Sequence, residues 1–275
     1  MIEIPGALAR AWTHEAEWLA DLPRLVAECA EQWELEPETP FESPHSLVVP
    51  AGETVLKLNA PSHVEAEHEA DALELWAGRG AIRLLARDDE RRALLVERCR
   101  PGTHLGDGVG HEIALGLLER LSLEAPEEHV FRLLAAEAAR WVEEVPERWE
   151  RAGRPFERSL LEEALDVFAS VDSGARTLVN QDLHGANVLR STREPWLVID
   201  PKPLVGEPEL AGVGLLRNAE SARDIHQWLD GLAGLGLDRD RLRGWGLAHA
   251  LAWGTDEAGV WAEWSIEAAR SIARA

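Results

Sequence analysis

Residues Asn180 to Asp200 read NQDLHGANVLRSTREPWLVID, and this segment is the most informative part of the chain. Asp182 and Asn187 lie five residues apart in its polar first part, and Asp200 follows the apolar run 196–199. The stretch therefore presents a carboxylate, an amide and a second carboxylate in that order. Side-chain oxygens of these types are the ligands that Mg²⁺ takes in proteins.

The two apolar runs of this stretch predict a β-hairpin. Residues 188–189 would form the first strand, the polar residues 191–195 the turn, and residues 196–199 the second strand. The first carboxylate and the amide precede the first strand, and the second carboxylate follows the second strand. We therefore expect all three side chains to lie at one end of the hairpin.

The order of these three groups is the one found in protein kinases. There, a catalytic aspartate, a metal-binding asparagine and a metal-binding aspartate follow one another at this spacing. Hard oxygen ligands hold Mg²⁺ against the nucleotide phosphates, and a free carboxylate orients the attacking hydroxyl and takes its proton. The pattern predicts Asp182 as the catalytic residue and Asn187 and Asp200 as metal ligands. The alternative is an ordinary polar loop in which these residues serve the turn.

A lysine and a glutamate upstream fit the same hypothesis. Lys57 lies in the run ETVLKL, whose alternating, β-branched pattern predicts a strand, and Glu69 lies in the helical stretch 62–76 that follows. In kinases a strand lysine pairs with a glutamate of the next helix and holds the α- and β-phosphates. Alternatively, Lys57 extends along an apolar surface and Glu69 is one of many solvated helix acids.

Longer strings of the sequence resemble the aminoglycoside phosphotransferase superfamily, and within it the group of streptomycin 6-kinases and hydroxyurea phosphotransferases. The most specific strings are WAGRGAIRLL at 76–85 and IDPKP at 199–203, and the similarity runs from about Leu47 to Asn218. The resemblance implies an α+β, bilobal, protein-kinase-like fold, with a small N-terminal lobe of antiparallel sheet and one helix and a large, mostly helical C-terminal lobe. It also implies ATP, Mg²⁺ and phosphorylation of a hydroxyl on a small, polar, often cationic antibiotic.

The resemblance extends to the site residues. It implies nucleotide contacts for Lys57, Glu69, Glu97, Arg98, Cys99 and His184. His184 would touch the phosphate or the substrate, with simple packing as the alternative. The superfamily usually has a histidine where Asn180 stands and, where Ala211 stands, an aspartate that braces the catalytic loop.

The pattern along the chain predicts an N-terminal lobe over 1–99 and a C-terminal lobe over 100–275, with Pro101-Gly102 as the hinge. Helical periodicity over 1–34 is interrupted at Pro23. The strands are expected at 46–49, 53–58, 81–86 and 92–98, and helices dominate from 104 to 171 and again after Pro208. Near the C-terminus, tryptophans at helical spacing are expected in the core, or one or two line a cation site with Asp256, Glu257 or Glu263.

The composition of the chain limits the classes of molecule that it is expected to bind. The 275 residues carry a net charge of −22, with 45% hydrophobic and 28% charged residues. A chain with this much negative charge would be repelled by nucleic acid and by anionic membranes. Its electrostatic field would attract a cationic small molecule; alternatively, the surface charge only keeps the protein soluble. No run approaches the length of a membrane span, the N-terminus lacks the features of a signal peptide, and the two cysteines imply no disulfide framework. We therefore expect a cytoplasmic monomer or dimer.

The sequence is compatible with three hypotheses for the function. The first is an ATP- and Mg²⁺-dependent O-phosphotransferase that inactivates a streptomycin-like antibiotic and gives resistance. The second keeps the scaffold but changes the acceptor to a sugar, an amino sugar or a peptide antibiotic of the capreomycin or viomycin type. The third is a pseudokinase that binds a ligand without phosphoryl transfer.

Overall fold

The structure, a computed structural model of the chain, describes residues 2–106, 110–255 and 259–275. Its helices are α1 Gly6–Ala11, α2 Ala16–Gln32, α3 Glu69–Trp76, α4 His111–Leu121, α5 Leu134–Arg151, α6 Arg158–Ala169, α7 Val213–Arg217, α8 Ala222–Gly234, α9 Arg239–Ala252 and α10 Glu263–Ala273. Its strands are β1 Ser46–Ala51, β2 Thr54–Asn59, β3 Leu84–Asp88, β4 Ala93–Glu97, β5 Leu123–Glu124, β6 Thr177–Asn180, β7 Val188–Arg190, β8 Trp196–Val198 and β9 Pro203–Gly206.

The chain folds into two compact units. The first contains the residues up to Thr103 together with Leu189–Asp200, and the second contains His104–Val188 and Pro201–Ala275. The sequence-based division assigned everything after Cys99 to one lobe. The segment Leu189–Asp200 belongs to the first unit because the backbone of Val198 forms hydrogen bonds with the backbone of Gly80 and Ile82 in that unit.

An antiparallel sheet with strand order β1-β2-β4-β3 forms the centre of the first unit. All four predicted strands are confirmed, with ends shifted by a few residues. The largest shift is in β3, which begins at Leu84 rather than at residue 81. The reason is that residues 80–82 make backbone hydrogen bonds with Val198 of β8 instead of joining the sheet.

The N-terminal helix α2 covers this sheet. Its buried side chains recur every three to four residues, which places them along one face, and they pack against buried sheet residues such as Leu47 and Leu56. They are Trp18, Leu22, Val26 and Cys29. The predicted interruption at Pro23 is wrong, because the helix runs through it. A proline removes one backbone donor, and tertiary packing can hold the helix together around that loss.

The predicted helical stretch 62–76 is shorter than expected. A single 3₁₀ turn covers Val64–Ala66, and the α-helix begins at Glu69. The helix ends where Ala77 adopts a left-handed conformation with φ of 49°, followed by positive φ angles at Gly78 and Gly80. The glycines of the WAGRGA string thus allow a tight turn that directs the chain toward β8.

The second unit is mostly helical. Helix α9 is buried along most of its length and contacts α6, α7 and α10. A small sheet with the order β5-β6-β9 lies in the same unit, and its register sets Asn180 opposite Pro203. The loop 181–187, which follows β6, therefore begins beside the first residue of β9.

The predicted hairpin is confirmed. Strands β7 and β8 form a two-stranded sheet, and the turn between them contains Arg193. Among the described residues, no helix is both long and apolar enough to cross a membrane.

A close backbone approach in the second unit yields a stability prediction. A methyl carbon added at Gly214 would lie 2.4 Å from the carbonyl oxygen of Leu183. Because backbone atoms must move to make room, Gly214→Ala should lower the free energy of unfolding by about 2 kcal/mol or more. Gly116→Ala in α4 is the matched control, since its added methyl meets nothing within 4 Å, and it should be neutral or stabilising. Urea denaturation measures both, and equal effects would contradict the close approach.

Candidate active site

A buried cluster of three charged side chains lies in the first unit. Lys57 on β2 donates hydrogen bonds from Nζ to Glu69 Oε1 at 2.8 Å and Oε2 at 2.6 Å, and to Asp200 Oδ1 at 2.5 Å. Glu69 is the first residue of α3 and is fully buried, and Lys57 is 7% exposed. The strand, the helix and the end of the hairpin thus meet at one ammonium group.

Polar neighbours complete this cluster. Asn59 donates from Nδ2 to Glu69 Oε2 at 3.3 Å, and Ser46 Oγ donates to Asn59 Oδ1 at 2.6 Å. Asn59 and Ser46 face each other in the β1–β2 register. Such partners are needed because a carboxylate without them could not remain buried and charged.

The charge state of Lys57 follows from its surroundings. Burial by itself would lower the pKa of this ammonium, but the carboxylates of Asp200 and Glu69 outweigh burial and raise the pKa. Lys57 therefore stays protonated at physiological pH. The Lys57 ammonium thus contacts the carboxylates of both Glu69 and Asp200.

The backbone holds Asp200 at the end of β8. Its φ of 50° lies in the left-handed region, which is uncommon for a residue with a side chain and is often found at functional sites. Arg193 in the β7–β8 turn anchors the hairpin by donating to Gly78 O at 2.7 Å, to Ala81 O at 2.9 Å and to the Glu97 carboxylate at 2.8 Å. The hairpin that carries Asp200 is thereby tied to the WAGRGA turn.

The side chains of Glu97, Arg98 and Cys99 are engaged within the first unit. The Glu97 carboxylate accepts from Arg193, and Arg98 Nη1 donates to Glu38 Oε1 at 2.7 Å and to the Gly52 carbonyl at 2.9 Å. Cys99 is buried, and burial raises the pKa of its thiol to about 11. The nucleotide contacts predicted for these three residues stay a prediction, and they would involve the backbone.

The carboxylate of Asp182 is held at both oxygens in the second unit. Arg217 Nη2 donates to Oδ1 at 2.5 Å, and Asn187 Nδ2 donates to Oδ2 at 3.1 Å and to the Asp182 carbonyl at 3.0 Å. His184 Nε2 lies 3.7 Å from Oδ1, which is too long for a direct hydrogen bond, so this contact is electrostatic only. Two other predicted site residues, Asn187 and His184, therefore lie at the carboxylate of Asp182.

The pKa of Asp182 is set by opposing effects. Burial favours the neutral acid, but the contacts with His184 and Arg217 and the charge of Lys202 outweigh it and lower the pKa to about 2. Asp182 is consequently ionised at any pH at which the protein would work.

A buried network behind Asp182 fixes its position. Arg217 Nη1 lies 3.3 Å from His249 Nδ1, and His249 Nε2 lies 3.2 Å from Gln181 Oε1. Because arginine can only donate, Nδ1 accepts and Nε2 carries the proton that it donates to Gln181. Burial and the charge of Arg217 hold the pKa of His249 well below its usual value, so the ring is neutral.

Asn180 supports the same loop from the other side. Its Oδ1 accepts from the backbone N–H of Asp182 at 3.1 Å and from that of Lys202 at 2.9 Å. The amide thus joins the end of β6 to the segment that enters β9.

A narrow cleft opens beside this loop within the second unit. His184 and Gly185 line it, together with His111 of α4, Asn218 directly after α7, and Asp224 and Trp228 of α8. Helix α8, one of the helices that follow Pro208, therefore forms part of the wall of this cleft. Two of the acids predicted to line a cation site, Asp256 and Glu257, lie outside the described residues. Of the tryptophans near the C-terminus, Trp245 and Trp261 are buried in the core.

Sequence patterns did not reveal Arg217, His249 or Gln181. Arg217 is 35 residues from Asp182 along the chain, and His249 is 68 residues from Gln181. Contacts at such separations follow no motif spacing. The only local signal was the position of Gln181 next to the predicted catalytic residue.

The fold and these two groups of residues define a protein-kinase-like small-molecule kinase. The sequence model described as aminoglycoside/hydroxyurea antibiotic resistance kinase matches residues 32–264, and the chain belongs to that family. It is 37% identical to the hydroxyurea phosphotransferase of Kitasatospora aureofaciens, over 91% of this chain and 79% of the relative. It is 35% identical to the streptomycin 6-kinase of Streptomyces griseus, over 91% of this chain and 89% of the relative.

A solved structure shows the same fold at low sequence identity. The choline kinase LicA from Streptococcus pneumoniae superimposes with a TM-score of 0.64 at 10% identity, over 92% of this chain and 98% of that one. The bilobal kinase-like fold class expected from the sequence is thereby confirmed.

Replacing Arg217 should raise the pKa of Asp182. In Arg217→Met the opposing charge is gone, so the pKa should rise by about 1 to 3 units from its value of about 2. In the native protein the folded pKa lies below the unfolded value of 3.8. The stabilisation from this carboxylate is therefore present above pH 4 and is lost as the pH falls toward 2, and in the variant this loss should begin at higher pH.

The measurement is a ¹³C NMR titration of the aspartate carboxyl signals, with the signal of Asp182 identified by its absence in Asp182→Asn. Arg243→Met is the matched control, because it removes the same charge from an arginine that pairs with Glu163 instead. The control should leave the pKa of Asp182 unchanged. An unchanged value in Arg217→Met as well would show that this guanidinium does not set it.

Proposed function

We propose that the protein transfers the γ-phosphoryl group of ATP to a hydroxyl of a small, polar, cationic antibiotic of the streptomycin type. The observation that carries the proposal is the ionised carboxylate of Asp182, which accepts hydrogen bonds from Asn187 and Arg217. His184 and Gly185 in the same loop line the cleft of the second unit. The names of the relatives support the acceptor class, since one is a streptomycin 6-kinase.

The nucleotide is assigned to the first unit. The ammonium of Lys57, held by Glu69 and Asp200, is a fixed positive charge suited to the α- and β-phosphates. The choline kinase that shares the fold has been solved with AMP. We assign the adenine contact to the backbone around Glu97, Arg98 and Cys99, and a phosphate or acceptor contact to His184.

The chemistry of the donors fits Mg²⁺. Asp200 offers a hard carboxylate oxygen, which is the kind of ligand that Mg²⁺ prefers. Asn187 contacts Asp182 through its amide nitrogen, so its amide oxygen suits the predicted role of second ligand. A bound Mg²⁺ would supply neutralisation of the phosphate charge that develops during transfer.

Asp182 acts on the acceptor. The acceptor hydroxyl donates a hydrogen bond to the carboxylate, its oxygen forms the new bond to the γ-phosphorus, and the bond from phosphorus to the β,γ-bridging oxygen breaks, which releases ADP. The hydroxyl proton passes to Asp182. A carboxylate with a pKa of about 2 is a weak base. It therefore serves chiefly to orient the hydroxyl and receives the proton late, as suits a loose transition state.

Hydroxyurea is the second candidate acceptor. The relative named hydroxyurea phosphotransferase is 37% identical to this chain, so a small neutral acceptor has specific support. Both candidates use the same catalytic residues, and they differ in charge.

An acceptor panel tests the proposal. ADP release is measured with streptomycin, hydroxyurea and neutral sugars at low and high ionic strength. Streptomycin should be phosphorylated with a KM that rises with salt, because charge interactions are screened over about 10 Å at 0.1 M and about 3 Å at 1 M. Hydroxyurea should show almost no such dependence. Turnover of neutral sugars alone would replace the antibiotic with the sugar-kinase alternative, and ATP binding without any turnover would indicate a pseudokinase.

Two isosteric variants should separate the base from the metal ligand. Asp182→Asn should lower kcat by about 10² or more, because a positioned acid–base group is lost, while ATP affinity is kept. Asp200→Asn should abolish transfer and weaken ATP mainly in the presence of Mg²⁺. Calorimetry with and without Mg²⁺ and single-turnover assays measure the two effects. Near-normal turnover in Asp182→Asn would remove that residue from its role.

A further inference from the structure

Helix α8 presents an aromatic ring and a carboxylate to the cleft. Asp224 and Trp228 are four residues apart, so they lie on the same face of the helix. Both line the cleft, where Trp228 is 9% exposed and Asp224 is partly buried. Asp224 is held in place because its Oδ2 accepts from the backbone N–H of Glu220 at 3.1 Å.

The side chain of His111 contacts both Trp228 and Asp224. The ring of His111, the first residue of α4, is stacked on the Trp228 indole with centroids 3.8 Å apart and planes inclined by 25°. Its Nε2 lies 2.9 Å from Asp224 Oδ1. The imidazole therefore places its face on the indole and its edge against the carboxylate.

The contact between His111 and Asp224 is imperfect. The distance is short, but the ring N–H does not point at the oxygen, and Nε2 is buried without a well-directed hydrogen bond to any described residue. A hydrogen bond weakens steeply when donor and acceptor are misaligned, so this contact holds the imidazole only weakly. A group with correctly directed N–H donors would satisfy Asp224 better than His111 does.

The cleft has little room while His111 is in place. Its free volume is about 30 Å³, which is enough for a few water molecules at most and not for a drug-sized acceptor. The imidazole of His111 fills the space over Trp228, so a ligand group can stack on this indole only when the imidazole moves away.

We infer that the face of Trp228 and the carboxylate of Asp224 form a subsite for a planar cation, a guanidinium group of the acceptor, and that His111 occupies this subsite when the acceptor is absent. The inference rests on the proposed function in one respect, since it takes the cleft to be the acceptor site. His184 lines the same cleft and its Nε2 lies 3.7 Å from Asp182 Oδ1, so an acceptor anchored on α8 extends toward the catalytic carboxylate.

The geometry selects a guanidinium over an ammonium. A guanidinium is flat, stacks on an aromatic face and presents paired N–H donors at its edge to a carboxylate. An ammonium cannot stack and is more strongly hydrated. The stacked imidazole already shows that a flat group with N–H at its edge fits between the indole and the carboxylate. The net charge of −22 adds a general attraction for cations.

NMR of the full-length protein tests the subsite without any enzyme assay. The probes are methylguanidinium and methylammonium, each titrated into ¹⁵N-labelled protein, and the readout is the indole N–H signal of Trp228, identified by its absence in Trp228→Phe. Methylguanidinium should shift this signal in a saturable way, whereas methylammonium at the same concentrations should not. Equal shifts with the two probes would overturn the selection of a planar cation.

Three variants decide the roles of the residues. Asp224→Asn should weaken methylguanidinium at least about tenfold, because a charge-assisted hydrogen bond is lost. His111→Ala should tighten it at least about threefold, because no side chain of the protein then competes for the subsite. Asp230→Asn, on the same helix but exposed and paired with Arg239, is the control and should bind like the native protein. Native-like binding by Asp224→Asn, or weaker binding by His111→Ala, would overturn the inference.

The subsite and the proposed reaction can be shown wrong independently of each other. If methylguanidinium binds as expected but no cationic antibiotic is phosphorylated, the subsite stands and the proposed reaction is wrong. If streptomycin is phosphorylated but Asp224→Asn leaves its KM unchanged and the probe does not bind, the reaction stands and the subsite is wrong.

Discussion

The first unit depends on the burial of one ammonium group between two carboxylates. Removing charges from water is costly, and the cost is offset only when partners with good geometry are present. Lys57, Glu69 and Asp200 come from a strand, a helix and the end of a hairpin, so the cluster requires all three elements to be in place. The same residues that would hold the nucleotide therefore also constrain the fold around them.

The second unit follows a comparable logic around Asp182. Arg217 pairs with the carboxylate and is itself fixed by the neutral ring of His249 and by the indole of Trp253, whose centroid lies 5.2 Å from the guanidinium carbon. The consequence is a carboxylate that is well placed but weakly basic. Phosphoryl transfer tolerates this, because positioning contributes more than proton abstraction when the transition state is loose.

The departures from the resembling superfamily do not leave the loop that carries Asp182 without support. Where the superfamily usually has histidine, Asn180 accepts hydrogen bonds from the backbone on both sides of the loop. Where it usually has a bracing aspartate, Ala211 is a small buried apolar residue. Here Gln181, hydrogen-bonded by His249, and the close backbone approach of Gly214 to Leu183 hold the loop.

The sequence alone predicted the four strands of the first unit and the hairpin, and it singled out Lys57, Glu69, Asp182, Asn187 and Asp200 as candidate site residues. These features depend on local periodicity and on short spacings, which a sequence displays directly. Three features became visible only in the folded chain: α2 continues through Pro23, residues 80–82 bond to the hairpin, and Arg217 and His249 support Asp182 while His111 and Trp228 line the cleft. Each of these outcomes depends on packing or hydrogen bonding between segments far apart in the chain, and such contacts leave no periodic signal in the sequence.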